Sequence, residues 1–181
     1  MVNGVTGYAQ ALTLSCESRS AVDWARYFGV SIQELDFQDQ LPSSDNPNKG
    51  FVGNPRGPRG HVPPDSYGVH AAPVAALLRA YGLNAIEASG ASWDQVRKEI
   101  ASGQPVITWV IGNVWTGYRP RSYTASDGET VTVAPYEHTV IVIGYDSDTV
   151  TVVDNQLRYS VPLEQFLESW DVLGNMMLYL E

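Results

Sequence analysis

Cysteine is nearly missing from this chain: its 181 residues carry a single one, Cys16. A lone thiol cannot close an internal disulfide, so redox chemistry says nothing about the compartment. Positive charge is scarce too. With 11 Lys and Arg against 20 Asp and Glu, the net charge is −9 and the pI is near 4.7. That balance argues against a nucleic-acid partner or an anionic membrane surface. Long apolar runs are absent, so no segment is expected to span a bilayer. The opening MVNGVTGYAQ has neither the basic start nor the apolar stretch of a secretory signal. There is no internal repeat and no low-complexity tract, and the charges are scattered. Functional-looking sequence follows so soon after Met1 that the chain reads as an excised domain. Its localisation is then either secreted or cell-envelope, with a signal removed, or cytoplasmic. Its oligomeric state is not legible.

What is present begins with the stretch QALTLSCESRSAVDWARYFG, Gln10 to Gly29. Val22, Ala25, Arg26, Tyr27 and Phe28 read as one amphipathic face, and Gly29 supplies a stop. The polar run Ser15, Glu17, Ser18 lets that helix begin as early as Cys16 or Glu17. A thiol at a helix N-terminus meets free amide N–H groups and the positive end of the macrodipole, which favour the thiolate. Gln10 lies far enough before Cys16 for its amide to return beside the sulfur, where a donor can help bind an oxyanion.

Downstream, SIQELDFQDQL predicts a short helix with Ser31 as N-cap and Glu34 completing a capping box. Pro42 to Gly68 is too rich in Pro, Gly and Asn for a regular element, and Phe51, Val52 and Tyr67 give it something to pack with. It reads as an ordered flap. SDNPNKG within it resembles a calcium loop only in part: Pro47 and Lys49 stand where oxygen ligands are needed, so no metal site and no cofactor are expected. HAAPVAALLRAY predicts a helix ended by Gly82, with His70 as a local hydrogen-bonding residue near its start and His61 solvated. SWDQVRKEIASG predicts another, capped by Ser92 with Gln95 in the capping-box position.

From Pro105 the pattern changes. PVITWVIG fits a central strand. Asn113 to Pro135 carries Trp115, Tyr118, Tyr123, Arg119 and Arg121 and returns through the alternating TVTVA; it lines either a binding cleft or a satellite core. HTVIVIGY and TVTVVD, separated by DSD, predict an antiparallel hairpin. His138 opens its first strand and Asp154 closes the second, so the two side chains can meet at one edge of the sheet as a base and its orienting acid require. A short strand near Leu157 to Val161, a helix in PLEQFLESW and a last strand NMMLYL follow. Helices first and an antiparallel sheet afterwards make the fold class α+β.

On QALTLSC, HTVIVIGYD, VVDN and the tail SVPLEQFLESW, the chain resembles papain-like cysteine peptidases of the C39 type, the group that includes double-glycine leader peptidases and free-standing bacterial relatives. The resemblance spans almost the whole length, residues 1–181 as a single papain-fold domain. It implies Gln10 as oxyanion donor, Cys16 as nucleophile, His138 as base and Asp154 as its orienter, with Asn155 as the rival for that last role. It also implies a peptide or protein substrate and proteolysis. A thiol acyltransferase of the same fold and a non-catalytic peptide-binding domain are the alternatives. The flap and the aromatic excursion exceed what a minimal exporter domain needs, and they are expected to form opposite rims of the cleft.

Overall fold

The computed structural model describes residues 1–181. Five helices and eight strands alternate along it: α1 (Cys16–Tyr27), α2 (Glu34–Gln40), α3 (Ala71–Ala80), β1 (Ala85–Ala88), α4 (Trp93–Ala101), β2 (Val106–Ile111), β3 (Arg121–Thr124), β4 (Thr130–Val133), β5 (Glu137–Tyr145), β6 (Thr149–Asp154), β7 (Leu157–Pro162), α5 (Leu163–Asp171) and β8 (Met177–Leu180). Six strands form one antiparallel sheet in the order β1-β8-β2-β5-β6-β7, while β3 and β4 make a separate hairpin. β2 is buried at every position, which means the sheet is covered on both faces at its centre. This is an α+β fold, the class the sequence pattern predicts.

Three tryptophans fasten the helices and the flap to that sheet. Trp24, Trp109 and Trp170 are fully buried, and a buried indole N–H needs an acceptor. Trp24 donates to the Pro105 carbonyl (2.8 Å), Trp109 to Val69 (2.9 Å) and Trp170 to Met176 (2.8 Å). The first ties α1 to the start of β2, and the second ties the end of the flap to its middle. Ser20 on α1 also meets Thr139 on β5 through their hydroxyls at 2.9 Å. No helix is long and apolar enough to cross a membrane.

The structure departs from the sequence expectations in two places. α2 does not use Ser31 as a cap: its N-cap is Gln33, without a side-chain bond, and Glu34 turns away to serve the loop before α1. β1 carries no clear sequence signal, because its four residues run buried, half-buried, exposed and half-buried at a sheet edge and offer too short a pattern. The order is therefore not strictly helices then sheet, since β1 precedes α4 and pairs with β8. By contrast Ser92 and Gln95 form the expected reciprocal capping box on α4.

Candidate active site

Cys16 is the first residue of α1, so its backbone N–H has no partner within the helix. The loop leading into it is held from an unexpected direction. Glu34 accepts from the Ala11 N–H (2.8 Å), the Ser15 hydroxyl (2.6 Å) and Arg19 (3.1 Å). Arg19 in turn forks onto Asp23, closing a buried ion-pair network under the first turns of α1. Glu34 thus positions the loop before Cys16 rather than capping its own helix.

Across the cleft, His138 is the second residue of β5 and Asp154 closes β6. The register Ile141 to Val153 places Asp154 opposite Val140, on the same sheet face as His138. The His138 Nε2 donates to Asp154 Oδ1 at 2.7 Å. That bond fixes the tautomer and leaves Nδ1 as the free acceptor. Asp154 also accepts from the Asn113 amide, from the Tyr159 hydroxyl (2.8 Å) and from the Asn155 amide (3.2 Å). Burial alone would raise its pKa, but the His138 bond and charge, with Tyr159 and Asn113, hold the carboxyl below its ordinary value. Asn155 has left the strand: at φ 51° its amide Nδ2 supports Asp154 while its Oδ1 accepts the Gln10 N–H at 3.2 Å.

Two groups sit differently from the sequence expectation. Gln10 lines the same cavity as Cys16, but its Nε2 donates to the Leu12 and Thr13 carbonyls (2.7 and 2.9 Å), leaving its buried Oε1 without a partner. Both amide protons are consumed by the turn between Gln10 and Cys16, so the side chain presents no donor to the cavity. The Cys16 thiol, buried at 6% exposure, donates to Glu17 Oε2 at 3.2 Å and makes no hydrogen bond to His138. Burial first, then the charges of Glu17 and Glu137, push it well above the ordinary thiol value. The helix N-terminus is outweighed here by desolvation and by two acids.

Those acids were missed by sequence reasoning. Glu17 is buried beneath Cys16, with Oε1 accepting the Val69 N–H at 2.6 Å. Both carboxyl oxygens of Glu137 are sealed from solvent and meet no N–H or hydroxyl donor, only the Glu17 carboxyl, and burial raises both acids, Glu137 further than Glu17. Gly68 makes room for them: a Cβ there would lie 2.3 Å from Glu17 Oε1 and 2.6 Å from Glu137 Oε2. The one available signal was an acid beside His138 at the head of an otherwise apolar strand.

The cleft, open to solvent, has a cavity volume of about 70 Å³ and is lined by Gln10, Cys16, Arg59, His61, Trp115, Tyr136, Glu137 and His138, among others. Both insertions reach it. They are not separate rims, however. Val52 and Tyr67 from the flap pack with Val131 and Val133 of β4 in a small second core, joined by Tyr123. Tyr123 therefore belongs to a satellite core, whereas Trp115 faces the cleft, stacks on Tyr118 and meets Tyr136 edge-to-face. At the flap tip Gly60 lies so close to the Tyr136 ring that a Cβ would fall 2.6 Å from it.

A cysteine at a helix start that shares a cleft with a histidine–aspartate pair on an antiparallel sheet is the arrangement of papain-like proteins. Within that class the chain belongs to the Peptidase_C39 like family, whose profile matches residues 2–177. It is similar to a crystal structure of a candidate C39-like peptidase from Bacillus anthracis, with a TM-score of 0.84 and 25% identity over 98% of this chain and 94% of that one. None of the curated proteins compared with it is similar at a significant level.

Proposed function

We propose that this chain is a cysteine peptidase that hydrolyses peptide bonds with Cys16 as nucleophile, His138 as base and Asp154 as orienter. The observation that carries this reading is the buried His138–Asp154 pair, whose acid is held by three further hydrogen bonds and whose free Nδ1 belongs to a ring lining the same cleft as Cys16. The thiol leaves Glu17 and passes its proton to His138 Nδ1, and the thiolate attacks the substrate carbonyl. The Cys16 backbone N–H stabilises the oxyanion; Gln10 joins it once its amide releases the Leu12 and Thr13 carbonyls. His138 protonates the leaving amine, and water then hydrolyses the thioester.

A second reading has its own support. The thiol turned to Glu17 and the reversed Gln10 amide also suit a non-catalytic peptide-binding domain, in which the cleft and its aromatic wall alone are used. One experiment separates them. A peptide library is incubated with the wild type, Cys16→Ala and His138→Ala, and new amino termini are counted alongside peptide retention. Cleavage by the wild type alone supports the peptidase. Equal retention by all three proteins without cleavage would leave only the binder, and transfer of the acyl group to an added amine in preference to water would identify an acyltransferase.

A further inference from the structure

Glu17 and Glu137 pose a problem that the proposed peptide chemistry does not use. Two carboxyls converge in a space cleared by Gly68, and no Lys or Arg pairs with either one. His138, beside Glu137 in the strand, is committed to Asp154. Burying two such groups side by side without a counter-charge is costly, so the space between them must hold either a proton or a cation.

We propose that Cys16, Glu17 and Glu137 form a binding site for a thiophilic divalent cation of the zinc class, and that occupying it takes the thiol out of reaction. One ligand atom from each residue lies within 4.8 Å of the others. The Cys16 Sγ to Glu17 Oε2 distance is 3.2 Å, near the ~3.5 Å that separates a sulfur and an oxygen in a tetrahedral zinc shell. The Val69 N–H occupies the other oxygen of Glu17, which leaves Oε2 aimed at the sulfur. Glu137 supplies the second sign: both its oxygens are sealed from water and meet no donor beside that pair, only the Glu17 carboxyl.

The donor set selects the ion. A thiolate with two carboxylates suits zinc or cadmium and disfavours magnesium and calcium, which take all-oxygen shells. Three protein ligands leave a fourth position, and entry is from the cleft, which Cys16 and Glu137 both line. The thiol proton, and the proton that the two carboxyls otherwise share, pass to solvent as the metal replaces them, so up to two protons are released per ion.

Neither readout of the test requires turnover, so it succeeds or fails independently of the peptidase reading. Cadmium is titrated into the full chain while the ultraviolet thiolate-to-metal charge-transfer band is followed, and zinc is tested for protection of Cys16 against iodoacetamide. The wild type is expected to give the band at one cadmium per chain and at least about tenfold slower alkylation with zinc. Glu137→Gln and, separately, Glu17→Gln should weaken cadmium binding about ten- to a hundredfold. His138→Ala should leave it close to the wild type. Near-ultraviolet circular dichroism shows which variants are folded, and the wild-type stoichiometry with the His138→Ala result stands even if one glutamine variant is not. Absence of the band in the wild type overturns the proposal. So does unchanged affinity in the folded glutamine variants, or loss in His138→Ala, which would assign the metal to the cysteine–histidine pair.

Discussion

Two acidic clusters flank the flap, and they are built on opposite terms. Where the flap meets the β3–β4 hairpin, Asp45 accepts from the Ser126 N–H (2.7 Å), the Ser126 hydroxyl (2.9 Å) and Tyr123 (3.2 Å). Asp127 and Glu129 share the Lys49 ammonium (2.8 and 3.1 Å) and the Asn46 amide (3.0 and 2.8 Å). Lys49 and Asn46 hold the Asp127 carboxyl down at about 2. Every acid there has donors, and the cluster is an exposed staple. At the other end of the flap, the carboxyls of Glu17 and Glu137 are sealed from water beside Cys16, and Glu137 meets no donor, only the other acid. Satisfied charge fastens the fold, whereas a buried acid pair without a donor is costly unless a proton or a cation lies between its carboxyls.

The strongest test of this contrast is Asp154, which is buried like the second cluster yet satisfied like the first. Under the proposed mechanism its full set of donors serves to hold one charge against His138. Asp154→Asn should keep the fold and lower kcat/KM by about 10²- to 10⁴-fold in a peptide-cleavage assay. Asn155→Ala, which removes one supporting bond and a contact to the Gln10 backbone, should cost less than about tenfold. The reverse ranking would move the orienting role to Asn155 and leave the Asp154 network as structure.

His70 joins the two regions and gives the next largest effect. Its Nδ1 faces Asn48 Oδ1 (2.6 Å) on the staple loop and its Nε2 faces the Tyr67 hydroxyl (3.2 Å) under the cleft. Asn48 Oδ1 only accepts, so Nδ1 carries the proton and Tyr67 donates to Nε2. Burial lowers the His70 pKa to about 3. The folded value lies below the unfolded one, so between the two the unfolded chain binds more protons. Stability is then complete above the ordinary histidine range and falls as pH drops, by about 2 kcal/mol at pH 5 from this group. Urea midpoints at pH 7 and 5 should diverge in the wild type, and His70→Gln should reduce the divergence. An identical divergence in both proteins would show that His70 is not the group responsible.

Glu137→Gln probes the unsatisfied side directly. The amide removes a buried acid and supplies a donor that can face Glu17, so unfolding at pH 7 should become harder by about 1 kcal/mol. A loss of stability instead would mean that the carboxyl pair is no liability, and the contrast between the clusters would fail.

What could be read in advance was what short stretches decide. The start of α1 at Cys16, the Ser92 capping box, the buried run of β2 and the β5–β6 hairpin all follow from local pattern, and the hairpin alone brings His138 and Asp154 together at one end of the sheet. What stayed hidden depends on partners far apart in the chain. Glu34 looked like a cap because its own neighbours fit one, but Ser15 and Arg19 were stronger claimants. The rotation of the Gln10 amide is set by two carbonyls of a tight turn, and no spacing rule reports which end of an amide faces a cavity. Glu17 and Glu137 meet only because Gly68 leaves a gap, and a glycine in a flap rich in glycine carries no distinguishing signal.

The smallest effect is expected from Lys49, although it pairs with two acids at once. Its ammonium reaches Asp127 and Glu129, but the lysine is itself about half exposed, with 49% of its side chain open to water. Water competes for all three charges, and ordering a long side chain costs entropy, so exposed pairs of this kind contribute little. Lys49→Met should lower the Tm by less than about 2 °C at low salt, and by still less as salt is added. Asn46 is the informative comparison, because it is fully buried and its amide spans the same two acids while its Oδ1 accepts the Asn48 N–H. Asn46→Ala strands those groups without a replacement and should cost visibly more than Lys49→Met. If the lysine variant loses as much as the asparagine variant, and does so independently of salt, then the staple is held by charge rather than by the buried amide, and it resembles the cluster beside Cys16 more closely than its hydrogen bonds suggest.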